Sequence, residues 1–171
     1  MKERTGVITF QGNPLTLVGD EIKVGAKAPD FTVVDNGLAP KKLSDFAGNV
    51  LILSTVPSLD TPVCDMETRR FNTEASKLDA GIKILTVSMD LPFAQARWCG
   101  AAGVEAVQTL SDHMSGSLGE GYGVLIKELR LLSRALFVVD KTGTVQYVQY
   151  VKEITEEPDY DAVLAAAAKL V

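Results

Sequence analysis

The run Val50-Leu51-Ile52-Leu53-Ser54-Thr55-Val56 constrains the fold of this chain more than any other segment. It carries no charge, does not alternate, and stops at a proline-bearing loop. Seven such residues are too few for a core helix, and they leave no polar face for solvent. They predict a central strand covered on both sides. Ile82-Lys83-Ile84-Leu85-Thr86-Val87-Ser88 and Leu136-Phe137-Val138-Val139 read as two further buried strands. Between the first two, Phe71, Ala75 and Leu78 recur at helical spacing and predict a helix over 62–78.

The rest of the chain fits around that unit. Val7–Phe10 and Leu15–Val18 flank Gly12-Asn13-Pro14 and predict a hairpin. A short strand follows Pro29, over Phe31–Val34. Asp90 reads as the cap of a short helix that reaches Cys99 and stops near Gly100. Asp140-Lys141-Thr142-Gly143 turns the third buried strand into a fourth, Val145–Val151. A final amphipathic helix begins near Pro158, with Tyr160, Val163, Leu164, Ala167 and Val171 on one face. Parallel strands joined by a helix and followed by an antiparallel hairpin predict an α/β fold. It is a mixed, thioredoxin-like sheet flanked by helices, with an extra N-terminal hairpin over residues 1–20. The 171 residues read as one domain.

A net charge of −5 speaks against nucleic acid as a partner and against a basic membrane-surface role. No apolar run approaches the ~20 residues that span a bilayer. No apolar stretch follows the charged N-terminus, so a cytoplasmic location is expected. The chain has two cysteines, Cys64 and Cys99, and one histidine, His113. These are too few and too scattered for a closed zinc site. His113, in a polar segment, reads as a surface residue.

Cys64 carries the chemistry. Thr61 is a good N-cap and Pro62 suits the first helical position, which puts Cys64 in the first turn of the predicted helix. Free backbone N–H groups and the positive end of the helix dipole meet there, and both favour thiolate over thiol. Asp65 and Glu67 oppose this if they lie close.

The pattern Pro57-x-x-x-Thr61-x-x-Cys64 resembles the active-site signature of peroxiredoxins. Ser58–Cys64, Ser88–Gly100, Leu132–Asp140 and Glu153–Tyr160 together are similar to the thiol peroxidase subfamily, and the match runs along essentially the whole chain. The resemblance implies a peroxidatic Cys64 and a resolving Cys99, with Thr61, Arg134 and Pro57 completing the site. Hydrogen peroxide or an organic hydroperoxide is reduced through a sulfenic acid and an intrachain Cys64–Cys99 disulfide. Thioredoxin is the implied reductant, a homodimer the implied assembly, and no metal or organic cofactor is called for. Two other readings stay open at this point. A disulfide oxidoreductase would carry Cys-x-x-Cys, but Glu67 stands three residues after Cys64. A redox sensor on the same fold would not turn over peroxide.

Overall fold

The computed structural model describes residues 1–171. Eleven strands form two sheets. They are β1 (Glu3–Phe10), β2 (Asn13–Val18), β3 (Thr32–Val34), β4 (Pro40–Lys42), β5 (Val50–Thr55), β6 (Ile82–Ser88), β7 (Gln108–Ser111), β8 (Leu125–Ile126), β9 (Leu131–Leu132), β10 (Ala135–Val139) and β11 (Val145–Tyr150). The helices are α1 (Pro62–Ala75), α2 (Pro92–Ala102), α3 (Ser117–Gly121) and α4 (Tyr160–Ala168).

The main sheet has the order β11-β10-β5-β6-β7-β3-β4. β5 pairs parallel with β6 and β6 with β7, whereas β10 runs antiparallel to β5 and to β11. Every residue of β5 is buried, as its continuous apolar run requires. Its alternate side chains serve two cores. Leu51 and Leu53 join Leu85, Val87, Phe137 and Leu118 on one face. Val50 and Ile52 join Ile84, Leu136 and Val138 on the other, under Phe71 of α1 and Tyr160 and Val163 of α4. The thioredoxin-like mixed sheet with helices on both faces is thus the architecture observed.

The N-terminal hairpin is present but does more than extend the chain. It pairs with β8 and β9 into a second sheet of order β1-β2-β8-β9, packed around Ile8, Leu15, Leu17, Ile126 and Ile154. Its turn is Gln11-Gly12, both at positive φ (49° and 82°), between the paired Phe10 and Asn13. This places the turn one residue earlier than the Gly12-Asn13-Pro14 reading, and Pro14 lies within β2.

Other differences have local causes. α1 ends at Ala75, short of Leu78. α2 begins after Leu91, not Asp90, and runs through Gly100 to Ala102. It stops at Gly103, whose φ of 68° suits glycine at a left-handed helix end. α4 ends at Ala168, so Val171 lies beyond it and is exposed; Tyr160, Val163 and Ala167 form the buried stripe, with half-buried Leu164 packed against the same core. β4, β7, β8, β9 and α3 are too short to show periodicity in the sequence. No helix is long and apolar enough to cross a membrane.

Candidate active site

Cys64 sits two residues after Pro62, the first residue of α1, just beyond the carboxyl end of β5. Thr61 has the extended backbone of an N-cap, and its carbonyl accepts the first helical bond from the Asp65 N–H at 2.9 Å. The N–H groups of Val63 and Cys64 therefore lie outside the helical ladder, at the open end of the helix that carries the sulfur. The thiol is fully buried, in a small cluster with Val56 and Leu59 that Trp98 covers from α2. Pro57 is buried in the same loop.

Arg134, just before β10, completes the site. Its Nη2 donates to Cys64 Sγ at 3.2 Å. Nε and Nη2 also donate to the Ile154 carbonyl at 3.1 and 2.9 Å, and Nη1 pairs with Glu67 Oε2. Glu67 accepts a second bond, from Ser54 Oγ at 2.9 Å. Arg134 and Glu67 are 1% and 0% exposed, so this is an ion pair in low dielectric. Burial pushes the Glu67 carboxyl above the usual carboxylate range, against the pull of Arg134 and Ser54. Burial draws Arg134 down, but the neighbouring Glu67 and Cys64 outweigh it and hold the guanidinium charged. The sequence flagged Glu67 as an opponent of the thiolate. In the fold it is the group that holds the guanidinium against the sulfur.

Thr61 does not act as the sequence suggested. Its hydroxyl accepts no first-turn N–H, and it donates to the Ser58 carbonyl at 2.8 Å. Ser58 is in turn fixed by Asp90, whose carboxylate accepts from Ser58 Oγ (2.7 Å), the Leu59 N–H (2.8 Å) and Ser88 Oγ (2.7 Å). Asp90 is thus a tie between the loop before α1 and the turn before α2, instead of a helix cap. Asp65 points away from the pair, accepting from Trp98 Nε1 at 2.9 Å and from Arg69 Nε at 2.8 Å.

Cys99 is unpaired and half-buried in the last turns of α2. Its sulfur lies 3.3 Å from Thr109 Oγ1, whose proton goes to Asn36 Oδ1 at 3.1 Å. Cys99 opens on a cleft of about 450 Å³ beside Asn36, Glu105 and Thr109. A second cavity, of about 490 Å³, is lined by Phe46, Leu51 and Val139 at the other end of β5 and does not reach Cys64. Between the two thiols, Ser54, Thr86 and Thr109 are direct partners across β5, β6 and β7 and form a row of hydroxyls on one sheet face. The Thr86 hydroxyl in the middle is buried and makes no hydrogen bond. His113 is half-buried, with Nδ1 2.8 Å from Ser111 Oγ.

A buried thiol held by a fixed guanidinium at a helix N-terminus is suited to nucleophilic redox chemistry. Known proteins of similar sequence agree with this. The family model described as Redoxin matches residues 23–164. The chain is 57% identical over 164 residues to a thiol peroxidase of Bacillus subtilis, covering 96% of this chain and 98% of that one. A thiol peroxidase of Staphylococcus aureus is 56% identical over 159 residues, covering 93% and 96%. The crystal structure of a peroxiredoxin-like protein from Aquifex aeolicus superposes with a TM-score of 0.91 at 46% identity over 98% of each chain. With the family model spanning most of its length and relatives this similar over nearly all of theirs, the chain belongs to the redoxin family, as an enzyme of the thiol peroxidase type.

Proposed function

We propose that Cys64 is the peroxidatic nucleophile and Cys99 its resolving partner. The Cys64 thiolate attacks one oxygen of a hydroperoxide. Sulfur loses two electrons, the O–O bond breaks, and the other oxygen leaves as water or an alcohol. Charge moves from sulfur onto the oxygens, so fixed donors beside the sulfur stabilise the transition state. Arg134 Nη2, 3.2 Å from the sulfur, and the Cys64 N–H are such donors. This contact of a buried guanidinium with the thiol is the observation that carries the reading. Thr61 holds the loop that delivers Cys64, and Pro57 keeps water from it.

The sulfenic acid then condenses with the Cys99 thiol. An S–S bond forms, and the sulfenic oxygen leaves as water with the thiol proton. Thioredoxin reduces the disulfide. The substrates are hydrogen peroxide and organic hydroperoxides, in a cytoplasmic enzyme that works as a homodimer without metal or organic cofactor. Turnover of peroxide with thioredoxin and its reductase tests this directly. Cys64→Ser abolishes it, because an alcohol does not ionise at neutral pH. Cys99→Ser still consumes one equivalent of peroxide but forms no intrachain disulfide by peptide mass mapping. Near-normal turnover in the Cys64→Ser protein would overturn the assignment.

A further inference from the structure

α2 is a poorly anchored helix. Only Pro92 and Gln95 of its eleven residues are buried. Gln95 Nε2 holds the first half, donating to Ser88 Oγ at 2.9 Å and to the Leu110 carbonyl at 2.8 Å. The second half, which carries Cys99, has no comparable buried anchor. Trp98 and Ala102 pack half-buried against the core and Cys99 touches Thr109, while its other polar ties run to one stripe of α1. Asp65, Arg69 and Asn72 lie one turn apart along that helix. Asp65 accepts from Trp98 Nε1 at 2.9 Å, and Arg69 stacks over the Trp98 ring at 5.7 Å. Asn72 Oδ1 accepts the N–H groups of Glu105 and Ala106, just beyond the helix, at 3.2 and 2.8 Å. Trp98 itself packs on the cluster that contains Cys64.

We infer that Asp65, acting through Trp98, is a positioning residue for the resolving step: it latches the second half of α2 against α1 and sets how fast Cys99 is released to the oxidised Cys64. The inference rests on the two-cysteine reading above. The latch is half-exposed, with Asp65 34% and Arg69 49% accessible, so it holds the helix yet opens at small cost. The hinge falls between Gln95, which stays docked, and Trp98. While the latch is closed, the Cys64 sulfenic acid waits. A second hydroperoxide that arrives in that time oxidises it by two more electrons to the sulfinic acid and leaves as alcohol or water. Latch strength therefore sets the peroxide level at which the enzyme inactivates itself.

The test follows disulfide formation after a peroxide pulse by rapid thiol counting. Several peroxide concentrations separate the unimolecular step from the bimolecular one before it. Asp65→Ala and Trp98→Phe should each speed that step roughly 5- to 20-fold and lower the sulfinic fraction of Cys64. Both remove the same bond, so the double variant should add little to either single one. Asp65→Asn, which keeps an acceptor for the indole N–H, should stay near the parent rate. Hydrogen exchange in Asp65→Ala should speed up over residues 98–103 and not over 92–95. Unchanged rates in both single variants, or fully additive ones, would overturn the latch. Absence of any Cys64–Cys99 disulfide in the unaltered protein would overturn the reading beneath it, before any variant is made.

Discussion

Arg134 places its donors on three acceptors from two parts of the chain: the Cys64 sulfur and the Glu67 carboxylate on α1, and the Ile154 carbonyl beyond β11. A lysine has one compact ammonium and cannot span that geometry. Arg134→Lys is therefore expected to lose about 10²–10³ in peroxide-reduction rate, the usual effect of removing one preorganised donor. Arg134→Met also strands Glu67 in the core, and breaking a buried pair this way costs about 3–5 kcal/mol. Adding Glu67→Gln to Arg134→Met should recover most of the denaturant midpoint and none of the rate. Recovery of both would show that Arg134 serves the fold alone. The place of Cys64 at a helix start was legible in the sequence because Thr61-Pro62 encodes that start within a few residues. The roles of Glu67 and Thr61 were not. Glu67 looks like any acid near a helix start until Arg134, 67 residues away, is brought beside it. The Thr61 hydroxyl has two local acceptor and donor choices, and tertiary packing of Ser58 against Asp90 selects between them.

At the scale of elements, the long buried strands and α1 declared themselves through their residue pattern, whereas short pieces that lean on neighbours did not. β7 has four residues, and its pairing with β6 defines it more than its composition does. The N-terminal hairpin was visible as a hairpin, but its docking was not, because the ties are long-range. One of these is Glu153. Its carboxylate accepts from Thr9 Oγ1 and the Gly12 N–H on the hairpin, and from the Thr155 N–H and hydroxyl on its own loop. Those donors, led by the Gly12 N–H, lower its pKa from the ordinary 4.5 to about 2. A folded-state value below the unfolded one gives stability that is present above pH 4.5 and lost as pH falls toward 2. Glu153→Gln should therefore melt several degrees (~2–4 °C) lower at pH 7, and the gap should close near pH 2. Melting curves across that range decide it. A constant difference at all pH values would mean that the charge on Glu153 plays no part.

Across the whole molecule, the two thiol-bearing helices lie over a sheet face that turns from apolar to polar at its upper edge. Leu136, Ser54, Thr86 and Thr109 follow one another across β10, β5, β6 and β7. Ser54 is satisfied by Glu67 and Thr109 by Asn36, while Thr86 is left with nothing. A buried hydroxyl without a partner costs about 1–3 kcal/mol. Valine has the same branched outline and no such need, so Thr86→Val should raise the melting temperature by ~2–6 °C in a chain of this length. A lower melting temperature in calorimetry would show that the hydroxyl is satisfied after all. For an engineer, Thr86 marks heat resistance that natural selection has left untaken in this enzyme. If the variant melts higher but reduces peroxide more slowly in the cold, the unpartnered hydroxyl serves turnover at the expense of heat resistance.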